Sequence, residues 1–103
     1  MARILRFDTG PHGQPRTIDA ARLWDYVLPR LDFPLPAFIA AEIHGIVTAI
    51  WKSSEREINF HDCVDALEVL EHRDILLPPA RRERIISLVF EYLSKNGYLY
   101  ETE

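Results

Sequence analysis

A single cysteine, Cys63, stands in the chain, so no intrachain disulfide can form. Glycine is sparse, at positions 10, 13, 45 and 97 only. Lysine is scarcer still, with Lys52 and Lys95 set against ten arginines, an imbalance that carries no functional argument. No long apolar run is present. The longest nearly uncharged stretch, Phe33 to Trp51, is interrupted by Pro34, Pro36, Glu42, His44 and Gly45, which excludes a bilayer span. Excess positive charge is also missing: the net charge of −4 offers no global attraction to nucleic acid or anionic membrane. The segment MARILRFDTG reaches polar residues within six positions and lacks the apolar core of a signal peptide, so the expected location is cytoplasmic.

What is present suits one globular domain spanning residues 1–103. Hydrophobic residues make up 48% and charged residues 27%. A chain of this size buries roughly two thirds of its unfolded surface, enough for one core without staples.

Residues Ala2 to Phe7 read as an edge strand, and Gly10-Pro11-His12-Gly13-Gln14-Pro15 as a loop. Thr17 then suits an N-cap, with Asp19 in the first turn of a helix that carries Ala20, Trp24, Val27, Leu28 and Leu31 inward. Pro29 should end or kink it. Pro36 fits the first turn of a second helix, whose stripe is Ile39, Ile43, Ile46, Val47 and Ile50, flanked by Phe38 and Trp51. This helix is expected at the centre of the core. Gly45 costs ~1 kcal/mol relative to alanine there, which a close helix crossing would explain.

A polar connector, Lys52 to Glu57, leads to Asn59, the expected cap of a third helix. Its buried stripe is Phe60, Val64, Leu67 and Leu70, and His72-Arg73-Asp74 ends it. Ile75-Leu76-Leu77 reads as extended and buried. A fourth helix, Ala80 to Asn96, turns Ile85, Ile86, Val89, Tyr92 and Leu93 inward. Gly97 suits the left-handed residue of a Schellman closure, and Tyr98 to Glu101 a last strand. The fold class is therefore mainly α: a compact four-helix domain with short N- and C-terminal strands, in the order β-α-α-α-α-β. Those strands are able to pair with each other, or, left unpaired, to join a second copy.

No catalytic constellation emerges. His61 and Cys63 lie two apart and face away from each other on a helix, so Cys63 reads as a core residue. His12, His44, His61 and His72 show no metal-ligand spacing. Gly10-x-x-Gly13 lacks the lysine of a phosphate loop, and Pro11 and Pro15 remove backbone donors. The expectation is a protein with no enzymatic activity, no cofactor and no metal.

Charge is more informative. Asp62, Asp65, Glu68 and Glu71 recur every third residue, opposite the buried stripe, and form an expected acidic ridge. Arg81, Arg82 and Arg84 crowd the start of the fourth helix, where cations oppose the helix dipole. They call for an offsetting anion, either an internal acid or a partner. Tyr98 and Tyr100 share one face of the last strand and suit interface anchors. These features favour a small acidic protein-binding module (a regulator, inhibitor or adaptor) whose partner carries a basic surface.

The segment Arg82 to Glu101, RERIISLVFEYLSKNGYLYE, also resembles the close of a winged-helix domain. That resemblance covers the last fifth of the chain and implies a nucleic-acid-binding regulator with the fourth helix as reader. Against it stand the long Asp74 to Pro79 connection, the lack of a second wing strand at the C-terminus and the acidic preceding helix.

Overall fold

The computed structural model describes residues 4–7, 18–53 and 57–101. The fold is mainly helical. Strand β1 (Ile4–Phe7) is followed by α1 (Ala20–Val27), a 3₁₀ turn (Leu28–Arg30) and α2 (Ala37–Ser53). Then come β2 (Glu57–Asn59), α3 (Phe60–Ala66), a 3₁₀ helix (Leu67–Arg73), α4 (Pro79–Lys95) and β3 (Leu99–Glu101).

The caps account for the helix boundaries. Asp19 caps α1, its carboxylate accepting from the Arg22 amide at 3.2 Å. This replaces the expected Thr17 cap, which lies outside the described residues, as does the glycine loop from Gly10 to Pro15. Because α1 begins only at Ala20, that residue stays exposed, and Leu23 joins Trp24 and Val27 on the buried face. Pro29 ends α1 as expected by tightening the chain into the 3₁₀ turn. Asn59 caps α3 through its side-chain oxygen, which accepts from the His61 and Asp62 amides.

Beyond Ala66 the helix tightens, and here the expectation of one continuous α-helix is corrected. Every third residue eclipses in a 3₁₀ helix. Leu67 and Leu70 therefore stack inward, both buried, and Glu68 and Glu71 stack beside them. The second half of the three-residue repeat, Glu68 and Glu71, follows the period of this tighter coil. Asp74 closes it in the left-handed conformation, φ 60°, with the Asp74 and Ile75 amides donating to Glu71 and Leu70. Gly97 (φ 77°) closes α4 in the same way, the Tyr98 amide donating to the Leu93 carbonyl at 2.8 Å.

The centre of the core is α4. It buries Ile85, Ile86, Leu88, Val89, Phe90 and Leu93, and α1, α3 and β3 all pack against it. The expected central helix, α2, is more peripheral: Ile43, Val47 and Trp51 are buried, but Ile39, Ile46 and Ile50 are only half-buried. Nor does a close crossing explain Gly45. A Cβ built there meets nothing within 4 Å. Gly45→Ala is accordingly expected to stabilise the fold by ~1 kcal/mol, the helix-propensity difference, in equilibrium denaturation. A loss of stability would reveal a neighbour at that position.

The three strands form an antiparallel ladder in the order β2-β1-β3. Leu5 pairs with Ile58 on one side and with Glu101 on the other. β1 thus lies in the middle of the ladder, not at an edge, so its backbone donors and acceptors are taken on both sides. β2, three residues between α2 and α3, is too short to show an alternating pattern in sequence.

One polar contact joins α1 to α2. Trp24 Nε1 donates to His44 Nδ1 at 3.2 Å, with the rings edge to face. An imidazole accepting at Nδ1 is neutral, and burial lowers the His44 pKa below its usual 6.5. The unfolded chain therefore takes up the proton first as pH falls. Stability from this site is complete above about 6.5, the unfolded value, and is lost as pH drops through that value toward the lowered folded one. Melting temperature is expected to be lower at pH 5 than at pH 7.5, with a smaller difference in His44→Gln, whose amide oxygen still accepts. An unchanged pH response in that variant would place the effect elsewhere.

Candidate binding surface

The structure divides the nine residues singled out from sequence into four groups, the two tyrosines being one of them. Asp62 and Asp65 are exposed on α3, with no ion pair among the described residues. Glu68 and Glu71 are different, because both reach Arg82. The Arg82 guanidinium lies 2.8 Å from Glu71 Oε1 and 3.6 Å from Glu68 Oε1. Its Nε donates to the Leu77 carbonyl at 2.7 Å. Arg82 is only 6% exposed. So the middle residue of the basic cluster is an internal tie between α4 and the 3₁₀ helix, and the acidic row is no continuous free ridge.

The adjoining segment also departs from expectation. Ile75 is half-buried and Leu77 buried, but Leu76 between them is 84% exposed. Extended backbone alternates its side chains, so three consecutive apolar residues cannot all point inward.

Tyr98 is not an exposed anchor. Its ring stacks on Tyr92 and meets Trp51 edge-on, each at 6.4 Å. The backbone places Tyr100 in β3; its side chain lies outside the described part of the structure.

The fourth group is Arg81 and Arg84, which stay exposed. Together with Asp32, Phe33 and Ala80 they line an open groove of about 290 Å³ between the start of α4 and the connector before α2. The Arg81 guanidinium lies over the Phe33 ring, 4.7 Å from its centre. Neither arginine has an ion pair among the described residues. Four other cations among the described residues are engaged: Arg22 with Asp19, Arg30 over Tyr26, Arg73 with Glu42, and Lys95 with Glu91 and Tyr26. No acid occupies the first turn of α4, and its cap position is Pro78, which supplies no side-chain bond. Sequence reasoning missed Asp32 and Phe33 because only the tertiary fold brings the connector against α4.

Cys63 is fully buried, and burial, reinforced by the charge of Asp62, pushes its thiol up to about 12. At neutral pH it stays protonated and unreactive. Among the described residues, no three or more His, Cys, Asp or Glu side chains gather as a metal site would need. No helix among them is long and apolar enough to cross a membrane. Comparison with protein-family models, with curated proteins and with solved structures finds no match to this chain.

Proposed function

We propose that the chain is a non-enzymatic protein-binding module, a regulator, inhibitor or adaptor, acting in the cytoplasm. The carrying observation is Arg81 and Arg84, without an ion pair among the described residues, over a groove with an aromatic wall. Exposed apolar side chains stand close to it in the chain. Leu76 precedes α4 by three residues, and Phe38, 65% exposed, follows the Asp32–Phe33 connector at the start of α2. Cations beside exposed aromatic and aliphatic surface are the usual make-up of a contact patch. The internal pairing of Glu68 and Glu71 moves the reading from the acidic face to this end of the molecule.

Capture of partners from the native host tests it, comparing the wild-type chain with Arg81→Glu/Arg84→Glu and Asp62→Asn/Asp65→Asn. Loss of a specific partner in the first variant is the expected result. Equal recovery with all three would remove the groove from the interface, and loss confined to the aspartate variant would restore the acidic face.

A second reading, nucleic-acid binding, has one observation in its favour. The ladder provides β3 with a neighbouring strand, β1, where the winged-helix resemblance lacked one. Its weakness is charge. With Arg82 consumed internally, two arginines of the α4 cluster remain, and two phosphate contacts give a salt slope of only about −2, against roughly −5 to −9 for six to ten contacts. Retention on duplex DNA at low salt that disappears in Arg81→Glu/Arg84→Glu would support it.

A further inference from the structure

We propose that the groove lined by Asp32, Phe33, Ala80, Arg81 and Arg84 holds a short extended segment of a partner protein that carries a glutamate or aspartate. This inference rests on the protein-binding reading and adds the chemistry of the occupant.

Size comes first. About 290 Å³ is at the lower limit of ligand pockets, which run from about 300 to 1,000 Å³. The groove suits one side chain with its adjoining backbone, and is too small to enclose a nucleotide cofactor. Charge then selects the side chain. Arg81 and Arg84 are three apart on α4 and so project from the same side of the helix. Planar guanidinium groups match a carboxylate with two parallel bonds. Phe33 beneath Arg81 restricts where that guanidinium sits and adds an apolar wall for a neighbouring aliphatic group.

Asp32 decides between anions. It lines the same groove, so the site offers an acceptor as well as the arginine donors. A phosphate, with no donor at neutral pH beyond its residual proton, meets repulsion there. A peptide segment supplies both parts: its carboxylate faces the arginines, and a backbone N–H donates to Asp32. The phosphodiester groups of nucleic acid, which carry no donor, meet the same repulsion at Asp32.

The experiment is a titration of the ¹⁵N-labelled full chain, followed by NMR, with an acetylated and amidated peptide of sequence Glu-Glu-Leu-Glu-Glu. Parallel titrations use its all-glutamine counterpart, inorganic phosphate and a 12-base-pair DNA duplex. The acidic peptide is expected to shift the amides of Phe33, Ala80, Arg81 and Arg84. Arg84→Gln, at an exposed position, should weaken it about tenfold, the worth of one charge-assisted bond. Arg22→Gln, an exposed arginine elsewhere, should leave it unchanged. The proposal is overturned by no shift at millimolar peptide, by equal binding of the glutamine peptide, or by equal weakening in both variants. Tighter groove binding of phosphate or duplex overturns it as well. Failure here together with groove-dependent partner capture would discard the acidic-segment chemistry and leave the protein-binding reading standing.

Discussion

Phe90→Ala is expected to remove about 3–5 kcal/mol of stability, the range for truncating a fully buried phenylalanine. Phe90 has no exposed surface and meets the Phe60 ring edge-on at 5.6 Å. It therefore joins α4 to α3 at the middle of the core, where the cavity left behind cannot collapse without moving both helices. A domain of about a hundred residues has roughly 5–15 kcal/mol in total, so the variant should melt at least about 15 °C lower or fail to fold at 37 °C. The matched variant Phe38→Ala, on the exposed side of α2, should cost under about 0.5 kcal/mol. Thermal denaturation of the pair tests whether α4 or α2 is the central helix, and the reverse order of effects would reinstate α2.

Arg82→Met is the second large effect, expected at about 2–3 kcal/mol in equilibrium denaturation. Methionine keeps most of the aliphatic stem in place, so packing is nearly preserved. What is lost is the donor to the Leu77 carbonyl, a buried hydrogen bond just ahead of α4. A buried acceptor without its partner costs about 1–3 kcal/mol, and bonds from a charged donor lie at the upper end. The carboxylates contribute less. Glu68 and Glu71 are more than half exposed, so once released they return to water. Glu68→Gln/Glu71→Gln is accordingly expected to cost under about 1 kcal/mol. If the double glutamine variant proves as damaging as Arg82→Met, then the ion pairs and not the carbonyl bond hold this joint.

The same arginine shows why the interface could not be read from charge order alone. Arg81, Arg82 and Arg84 are equivalent as a cluster in sequence, yet one is buried and two line a groove. Helical rotation of 100° per residue turns Arg82 toward the Glu68–Glu71 side and leaves the other two at the Asp32–Phe33 connector. Of the two offsetting anions expected for the cluster, an internal acid or a partner, Glu71 and Glu68 supply the first, but to Arg82 only.

Local signals were sufficient for much of the fold. Capping chemistry at Asn59, the helix stop at Pro29 and the left-handed closure at Gly97 depend on a few neighbouring residues, so they are legible without tertiary knowledge. Periodicity likewise identified Phe60, Val64, Leu67 and Leu70 as inward-facing, and all four are buried. The switch to a 3₁₀ coil at Leu67 was not legible, because the three-residue repeat runs unchanged from Asp62 in the α-helix to Glu71 in the 3₁₀ helix.

What only the tertiary structure decided is which surfaces meet. Hydropathy ranks α2 as the most apolar helix, but centrality depends on which elements surround a helix, and α4 is packed by α1, α3 and β3. The groove joins residues nearly fifty positions apart, Asp32 and Phe33 with Arg81 and Arg84. Local propensity holds no information about such a distance, because it is set by the packing of whole helices and not by any residue's own preference.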